Sequence, residues 1–479
     1  MTFKARTSAL PIVAVAALSL TLAACSSSSS AVDPGTSSSS GTSAAADAWS
    51  KAYDGTQLNV IGEATANTAI IEKLLPDFEA KTGIHVTIEQ APYDSLVQKA
   101  VLDFTTHKGN YDVLSIPYEY LGAFAEKQYI SQLDGFVAKT PEGIPSTFSA
   151  SDIIPSLWKS SSNWKDHWYG MPSNSAVMMM FYRKDLFEDP TEKAAFKTKY
   201  GYELAPAKTW KQYQDIAAFF TRPAGAKLGA STTSDAFYGV TLAGKRHVAT
   251  VLEWMNYSWT MGGDLFDSAG QPAVNSAQNT AALTYEKGLT AYAPPGFTSA
   301  TWDETTAGLQ QGTAAEAITW GDTAGAMEDA AASKVVGKMG YADIPVNAEG
   351  DKPEAHLGSW TYAVNVDSKN QDASQLYMAW ALSAPVQMEL AKQGGLPATT
   401  SSFTDKQLLA DLPYWSQELA SLQQAKSRPR IPEWSGISDA LALSISKALS
   451  GQEAPQTALD DAQQKISTLM AGALPVKYQ

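Results

Sequence analysis

One cysteine, Cys25, stands in a chain of 479 residues. An intrachain disulfide and a thiolate metal cluster are therefore both excluded. Histidine is scarce as well. His85, His107, His167, His247 and His356 lie far apart, without the HxH or HExxH spacing that turns two imidazoles toward one metal. No GxSxG, P-loop or GxGxxG motif falls where a strand would turn into a helix, so neither a nucleophile elbow nor a phosphate cradle is expected. Basic residues are outnumbered, 35 Lys and Arg against 49 Asp and Glu, for a net charge of −14. That balance disfavours nucleic acid and other polyanionic partners. Long apolar runs are lacking too: the best candidate, residues 9–24, has 16 residues. A membrane-spanning helix needs roughly 20. There is no internal repeat.

What is present begins with that short run. Lys4 and Arg6 precede it, which gives the layout of an export signal; a plain N-terminal membrane anchor is the alternative. Leu22, Ala23, Ala24 and Cys25 resemble a bacterial lipobox. The resemblance implies cleavage before Cys25 and lipid on its thiol, with more than one acyl chain needed for a lasting tether. Residues 26–45 are rich in serine, with Asp33 as the only charge, and read as a flexible leash. The working part of the protein is then expected at the outer face of the cytoplasmic membrane, lipid-anchored. Loss of residues 1–24 removes two basic groups and no acids, taking the net charge to −16. About 430 residues remain, more than one core comfortably serves, so two domains are expected.

The body of the chain reads as α/β. "QLNVIG" and "IHVTIEQ" are strand-like, and between them Ile70, Ile71, Leu74, Leu75 and Phe78 recur at helical spacing, with Gly83 as a helix stop. A second helix, carrying Leu96, Val97, Ala100, Val101 and Phe104 on one face, leads to the buried-looking strand "YDVLSI". That alternation is the grammar of a largely parallel sheet. Met178, Met179 and Met180 lie in an apolar strand-like run and read as core. Two amphipathic helices close the chain, with Ile437, Leu441, Ile445 and Leu449 on one and Leu459, Ala462, Ile466 and Leu469 on the other. Most of the 13 Trp and 20 Tyr are expected to pack the core.

The stretches "VIGEATANTAIIEKLLPDFEAKTGIHVTIEQ", "YDVLSIPYEYLGAFAEKQYISQLD" and "YGMPSNSAVMMMFYRKDLFED" resemble family 1 extracellular solute-binding proteins. These are the sugar-capturing lipoproteins of ABC importers, related to maltose-binding protein. "GGDLFD", "ITWGDTAGAM", "LGSWTYAVN" and "RPRIPEWSGISDALALSISKALSG" continue the match in the family's order. The resemblance implies a two-lobe fold of the periplasmic-binding-protein type, with discontinuous lobes and a ligand cleft between them. Crossings are expected near residues 173–174, 343–345 and 383–385. The division is then a signal peptide at 1–24, lipidated Cys25 and linker over 25–46, lobe 1 over 47–173 and 344–384, and lobe 2 over 174–343 and 385–479. It also implies an ABC permease as partner, no cofactor, no metal and a monomer that captures a sugar or sugar alcohol by closure.

A sugar offers hydroxyls to planar polar groups and its C–H faces to aromatic rings, so a cleft should mix both on loops that follow strands. Glu63 and Asn67 follow the first strand, although Asn67 or Thr68 could instead cap the next helix. Tyr93 follows the second strand, beside Asp94, which has the same capping alternative. Tyr118 follows the third, where this family commonly contacts ligand. Asn174 and Ser175 sit at the first crossing. Asp264 is presented by two glycines, whereas Trp254 fits helix packing better than stacking. Trp320 is the preferred stacking platform, with Asp322 beside it and Trp360 second. Gly395 would allow close backbone approach. Arg430, between prolines, suits a rigid bidentate donor, or else an ion pair bridging the lobes. A secreted carbohydrate-active hydrolase is the rival, although Asp303 beside Glu304 does not by itself make a glycosidase. A polyamine ligand would need several carboxylates together in the cleft.

Overall fold

The computed structural model describes residues 48–476. Cys25, the export segment 1–24 and the linker 25–46 lie outside the described residues. Strand β1 (Gln57–Glu63) leads into helix Ala66–Thr82, which buries Ile70, Ile71, Leu75 and Phe78. Thr65, not Asn67 or Thr68, caps this helix, its hydroxyl accepting the Thr68 N–H at 3.4 Å. Gly83 ends it at φ 76°, a left-handed conformation that costs glycine nothing. β2 (His85–Ala91) pairs in parallel with β1, and helix Tyr93–Thr106 follows. That helix buries Leu96, Ala100 and Phe104, while Val101, expected on the same face, is exposed. β3 (Val113–Pro117) is buried along its whole length.

The chain then forms β4 (Met171–Pro172) and crosses to a second sheet at β5 (Met178–Arg183), β6 (Tyr238–Val240), β7 (Ala314–Trp320) and β8 (Met339–Ala342). It returns to the first sheet as β9 (Trp360–Val364). The first sheet has the order β2-β1-β3-β9-β4 and the second β6-β7-β5-β8. Met178, Met179 and Met180 are buried in β5, as their run predicts. The expectation of largely parallel sheets needs correction. β9 runs antiparallel to β3, and β5 runs antiparallel to both β7 and β8. The crossings explain this: β5 and β9 begin at the end of their sheets where β3 and β7 finish, so Trp360 faces Pro117 and Met178 faces Trp320.

The crossing segments lie side by side. Gly358 N–H donates to Ala176 C=O at 2.7 Å, Met178 N–H to His356 C=O at 2.9 Å, and Leu357 N–H to Lys426 C=O at 3.0 Å. Helix Ala384–Lys392 packs on helix Ala66–Thr82, and Asn67 bonds Leu396, so residues 384–396 pack on elements of the first sheet. The terminal helices Trp434–Leu449 and Pro455–Leu469 pack on each other, and the former also packs on Val248–Thr260. Their apolar stripes are buried except Leu469, which is exposed. Trp254 is fully buried in Val248–Thr260, the packing role its spacing favoured.

Candidate functional site

Between the ends of the two sheets lies a cavity of about 350 Å³. From the first sheet, β1 delivers Glu63 at its last residue, helix Tyr93–Thr106 delivers Tyr93 at its first, and β9 begins with Trp360. From the second, β7 ends in Trp320, with Asp322 and Thr323 on the turn that follows. Helix Trp302–Gln310 completes the wall with Trp302 and Asp303 in its first turn. Its start is held by a capping box, in which the Thr301 hydroxyl accepts a backbone N–H and Glu304 accepts the Thr301 N–H at 2.7 Å.

Four rings therefore surround the space. Tyr93 stands edge-on to Trp302, with centroids 5.8 Å apart, and edge-on to Trp360 at 5.9 Å. Such geometry sets positive ring edges against negative faces. Because Tyr93 comes from the first sheet's side and Trp302 from the second, the former contact spans the cleft. Trp320 meets the edge of buried His356 at 5.6 Å.

The carboxyls are perturbed for physical reasons. Glu63 is pushed up to about 8, first by burial and then by the nearby charges of Asp322, Asp303 and Glu119. Asp322 is pushed up to about 6 by burial, against the opposing pull of its own and the Thr323 N–H. Below them lies a buried ion pair, Arg428 Nη2 to Glu119 Oε2 at 3.1 Å. Tyr93 OH donates to the other Glu119 oxygen at 2.9 Å, and Tyr118 OH accepts the Arg428 N–H at 2.8 Å. Arg428 lines the cavity, yet its Nε and Nη1 have no hydrogen-bond partner. At neutral pH the site can thus offer a protonated carboxyl, carboxylate acceptors and four aromatic surfaces. No group of His, Cys, Asp and Glu suited to a metal ion occurs among the described residues.

The profile of the bacterial extracellular solute-binding protein family matches residues 62–388. The chain belongs to that family. A probable amino-acid ABC transporter periplasmic-binding protein of Sinorhizobium fredii is 25% identical over 427 residues, covering 88% of this chain and 90% of that one. The mannitol-binding protein of Pseudomonas aeruginosa is 26% identical over 423 residues, 84% of this chain and 89% of its own. The crystal structure of an ABC transporter solute-binding protein from Agrobacterium radiobacter K84, in complex with ribitol, is similar with a TM-score of 0.77. It is 28% identical and covers 87% of this chain and 99% of that one. The fold is accordingly the two-lobe, α/β periplasmic-binding-protein fold.

In this solute-binding protein Glu63, Asn67, Tyr93, Trp320, Asp322 and Trp360 are brought together around one cavity. Asn67 has little left for a ligand: its amide donates to Leu396 C=O and accepts Leu396 N–H, both at 2.9 Å. Asn174 lines a small adjoining pocket, and its side chain accepts the Trp360 N–H at 2.8 Å, fixing the platform instead of presenting to the main cavity. Five further expected contacts also do not line the cavity. Tyr118 is buried with its hydroxyl donating to Leu357 C=O at 3.3 Å, and Ser175 is buried outright. Asp264 pairs with Lys426 at 2.7 Å. Gly395 lies under Leu390 and Asn67, where an added Cβ would meet Leu390 Cδ1 at 2.5 Å. Arg430 is buried and donates to the Asn163 carbonyl, so it neither reaches this cavity nor bridges the lobes by an ion pair.

Trp302, Asp303 and Arg428 also line the cavity and are not among the contacts expected from the sequence. "TWDE" carries the Ser/Thr-x-x-Glu signature of a helix start, and that could have located Trp302 and Asp303 on a loop-facing first turn. No local signal distinguishes Arg428 from Arg430.

Proposed function

We propose that this protein captures a sugar or sugar alcohol by closing its two lobes and delivers it to an ABC permease, without covalent chemistry. The observation that carries this reading is the cavity itself, where four aromatic rings and two perturbed carboxyls converge from opposite sheets. Rings accept the C–H faces of a polyol, and protonated Glu63 can both donate to and accept from hydroxyls. A polyamine fits less well, because Glu63 near pH 7 has largely given up its charge. Relatives that bind mannitol and ribitol support the choice, and none supports the rival hydrolase. Closure follows the general scheme in which ligand favours one of two lobe arrangements.

The lobe division we propose keeps lobe 1 over 47–173 and starts lobe 2 at 174, but carries lobe 2 past 343, because the Val346 N–H donates to Lys208 C=O and its C=O accepts the Trp210 N–H, both at 3.0 Å. It then extends the second segment of lobe 1 beyond 384, because helix Ala384–Lys392 packs with the first sheet's elements. The remainder, through the terminal helices, belongs to lobe 2. Cys25 is the lipid attachment point, and the protein acts as a monomer at the outer face of the cytoplasmic membrane. A thermal-shift screen over ribitol, mannitol, monosaccharides and disaccharides tests the ligand class. At 100 times its dissociation constant a ligand adds about 2.7 kcal/mol of stability, an easily read shift. Silence across the screen, or turnover of oligosaccharides, overturns the proposal.

A further inference from the structure

A second cavity, of about 420 Å³, lies on the other side of the crossing segments, between helix Pro155–Ser161, Trp164 and residues 425–431. Its wall is basic in a protein of net negative charge: Lys159, Lys352, Lys426, Arg428 and Arg430 face it, against one carboxylate, Glu354. Three of these cations are matched. Lys352 reaches Glu354 at 3.5 Å, Lys426 reaches Asp264 at 2.7 Å, and Arg428 reaches Glu119 at 3.1 Å.

Lys159 and Arg430 are not matched; neither forms an ion pair among the described residues. Lys159 is exposed, but Arg430 is only 7% exposed, and its hydrogen bond runs to the neutral Asn163 carbonyl. Burial pulls the Arg430 pKa below its usual value, with only the Tyr118 phenol acting in the other direction and no carboxylate among the causes. A guanidinium taken out of water without a counter-charge is costly, and such groups are ordinarily paired. Arg428 adds to the imbalance: it is 5% exposed, lines this cavity as well as the first, and leaves Nε and Nη1 without partners.

We infer that this cavity is a second binding site, for a small oxyanion, held by Arg430 and Lys159, with the Arg428 guanidinium in the same wall. Arginine's fork of donors suits the oxygens of phosphate, sulfate or a carboxylate. The site is a separate cavity from the polyol cavity, with Arg428 lining both.

The test uses the mature protein without sugar, in a buffer of low anion content. Inorganic phosphate, sulfate and acetate are titrated in separate arms, followed by calorimetry and melting temperature, with sodium chloride at matched ionic strength as control. Saturable stabilisation by at least one oxyanion beyond the chloride control is expected, and the ranking of the arms identifies which kind the site takes. Lys159→Ala and Arg430→Gln should each weaken it by about tenfold or more, the equivalent of 1.4 kcal/mol. Lys159 is exposed, so Lys159→Ala keeps the test valid if Arg430→Gln fails to fold. An oxyanion response no greater than chloride's, or one that survives Lys159→Ala undiminished, overturns the inference.

Discussion

The indole of Trp320 rests on Gly358: a Cβ built on residue 358 would stand 2.2 Å from Trp320 Cζ3. The aromatic platform of one lobe is thereby seated on a crossing segment, and residue 358 has no room for a side chain while the ring lies there. Gly358→Ala should displace the ring and weaken polyol binding by about tenfold or more, since overpacking of this kind costs typically 1–3 kcal/mol. Calorimetric titration of the variant checks this; unchanged affinity would mean the ring does not contact ligand.

Trp320→Ala removes the platform itself. Loss of the stacking geometry, worth on the order of 1 kcal/mol beyond burial, together with lost contact area should lower affinity by roughly tenfold or more. The ring is partly exposed, so the stability loss should stay below the 3–5 kcal/mol typical of a core tryptophan. Melting temperature and dissociation constant, measured on the same sample, separate the two roles.

Stability should fall as pH rises through the range set by Glu63. Its folded value of about 8 lies above the ordinary 4.5, so the folded state holds the proton more tightly. The stability contributed is complete below about 4.5 and is lost progressively as pH climbs through 8. Glu63→Gln, which imitates the protonated acid, should flatten that part of the profile. Melting curves of both proteins from pH 4 to 9, taken without ligand, decide it: parallel profiles would remove Glu63 as the cause.

Arg428 and Glu119 form a buried pair whose halves cannot be separated cheaply. Arg428→Met leaves Glu119 uncompensated in the interior and should cost about 3–5 kcal/mol. Combining it with Glu119→Gln should recover much of that loss. Denaturant unfolding of the two singles and the double gives the coupling energy, and simple additivity would argue against a direct partnership.

Cys25→Ser should yield protein that is released or stays uncleaved, with the folded part unaffected, because no other cysteine exists to take a lipid. Fractionation and mass spectrometry of the N-terminus check this. Normal cleavage with full retention at the membrane would dismiss the anchor.

Much of the fold was legible because it is written in local patterns. The spacing of Ile70, Ile71, Leu75 and Phe78 marks one apolar helix face whatever it packs against, and Gly83 marks its end. The buried methionines of β5 and the terminal helices were readable for the same reason. Tyr93, Trp320 and Trp360 were legible too, since each lies at or within two residues of a strand end, and such places face the cleft in this architecture. Val101 and Leu469 mark the limit, for helical spacing names a stripe but not how far the neighbouring element covers it.

Tertiary structure alone decided which polar groups remain available. Asn67 reads like a ligand contact until Leu396 arrives from far along the chain and uses both ends of its amide. Arg428 and Arg430 flank one proline in "RPRIP", yet one meets Glu119 beside the candidate cavity and the other meets the Asn163 carbonyl behind the crossings. A sequence determines locally which side chains are apolar and how they repeat. Whether a charge is neutralised or left free depends on where remote segments end up, and a hydrogen bond acts over about 3 Å in space regardless of separation along the chain.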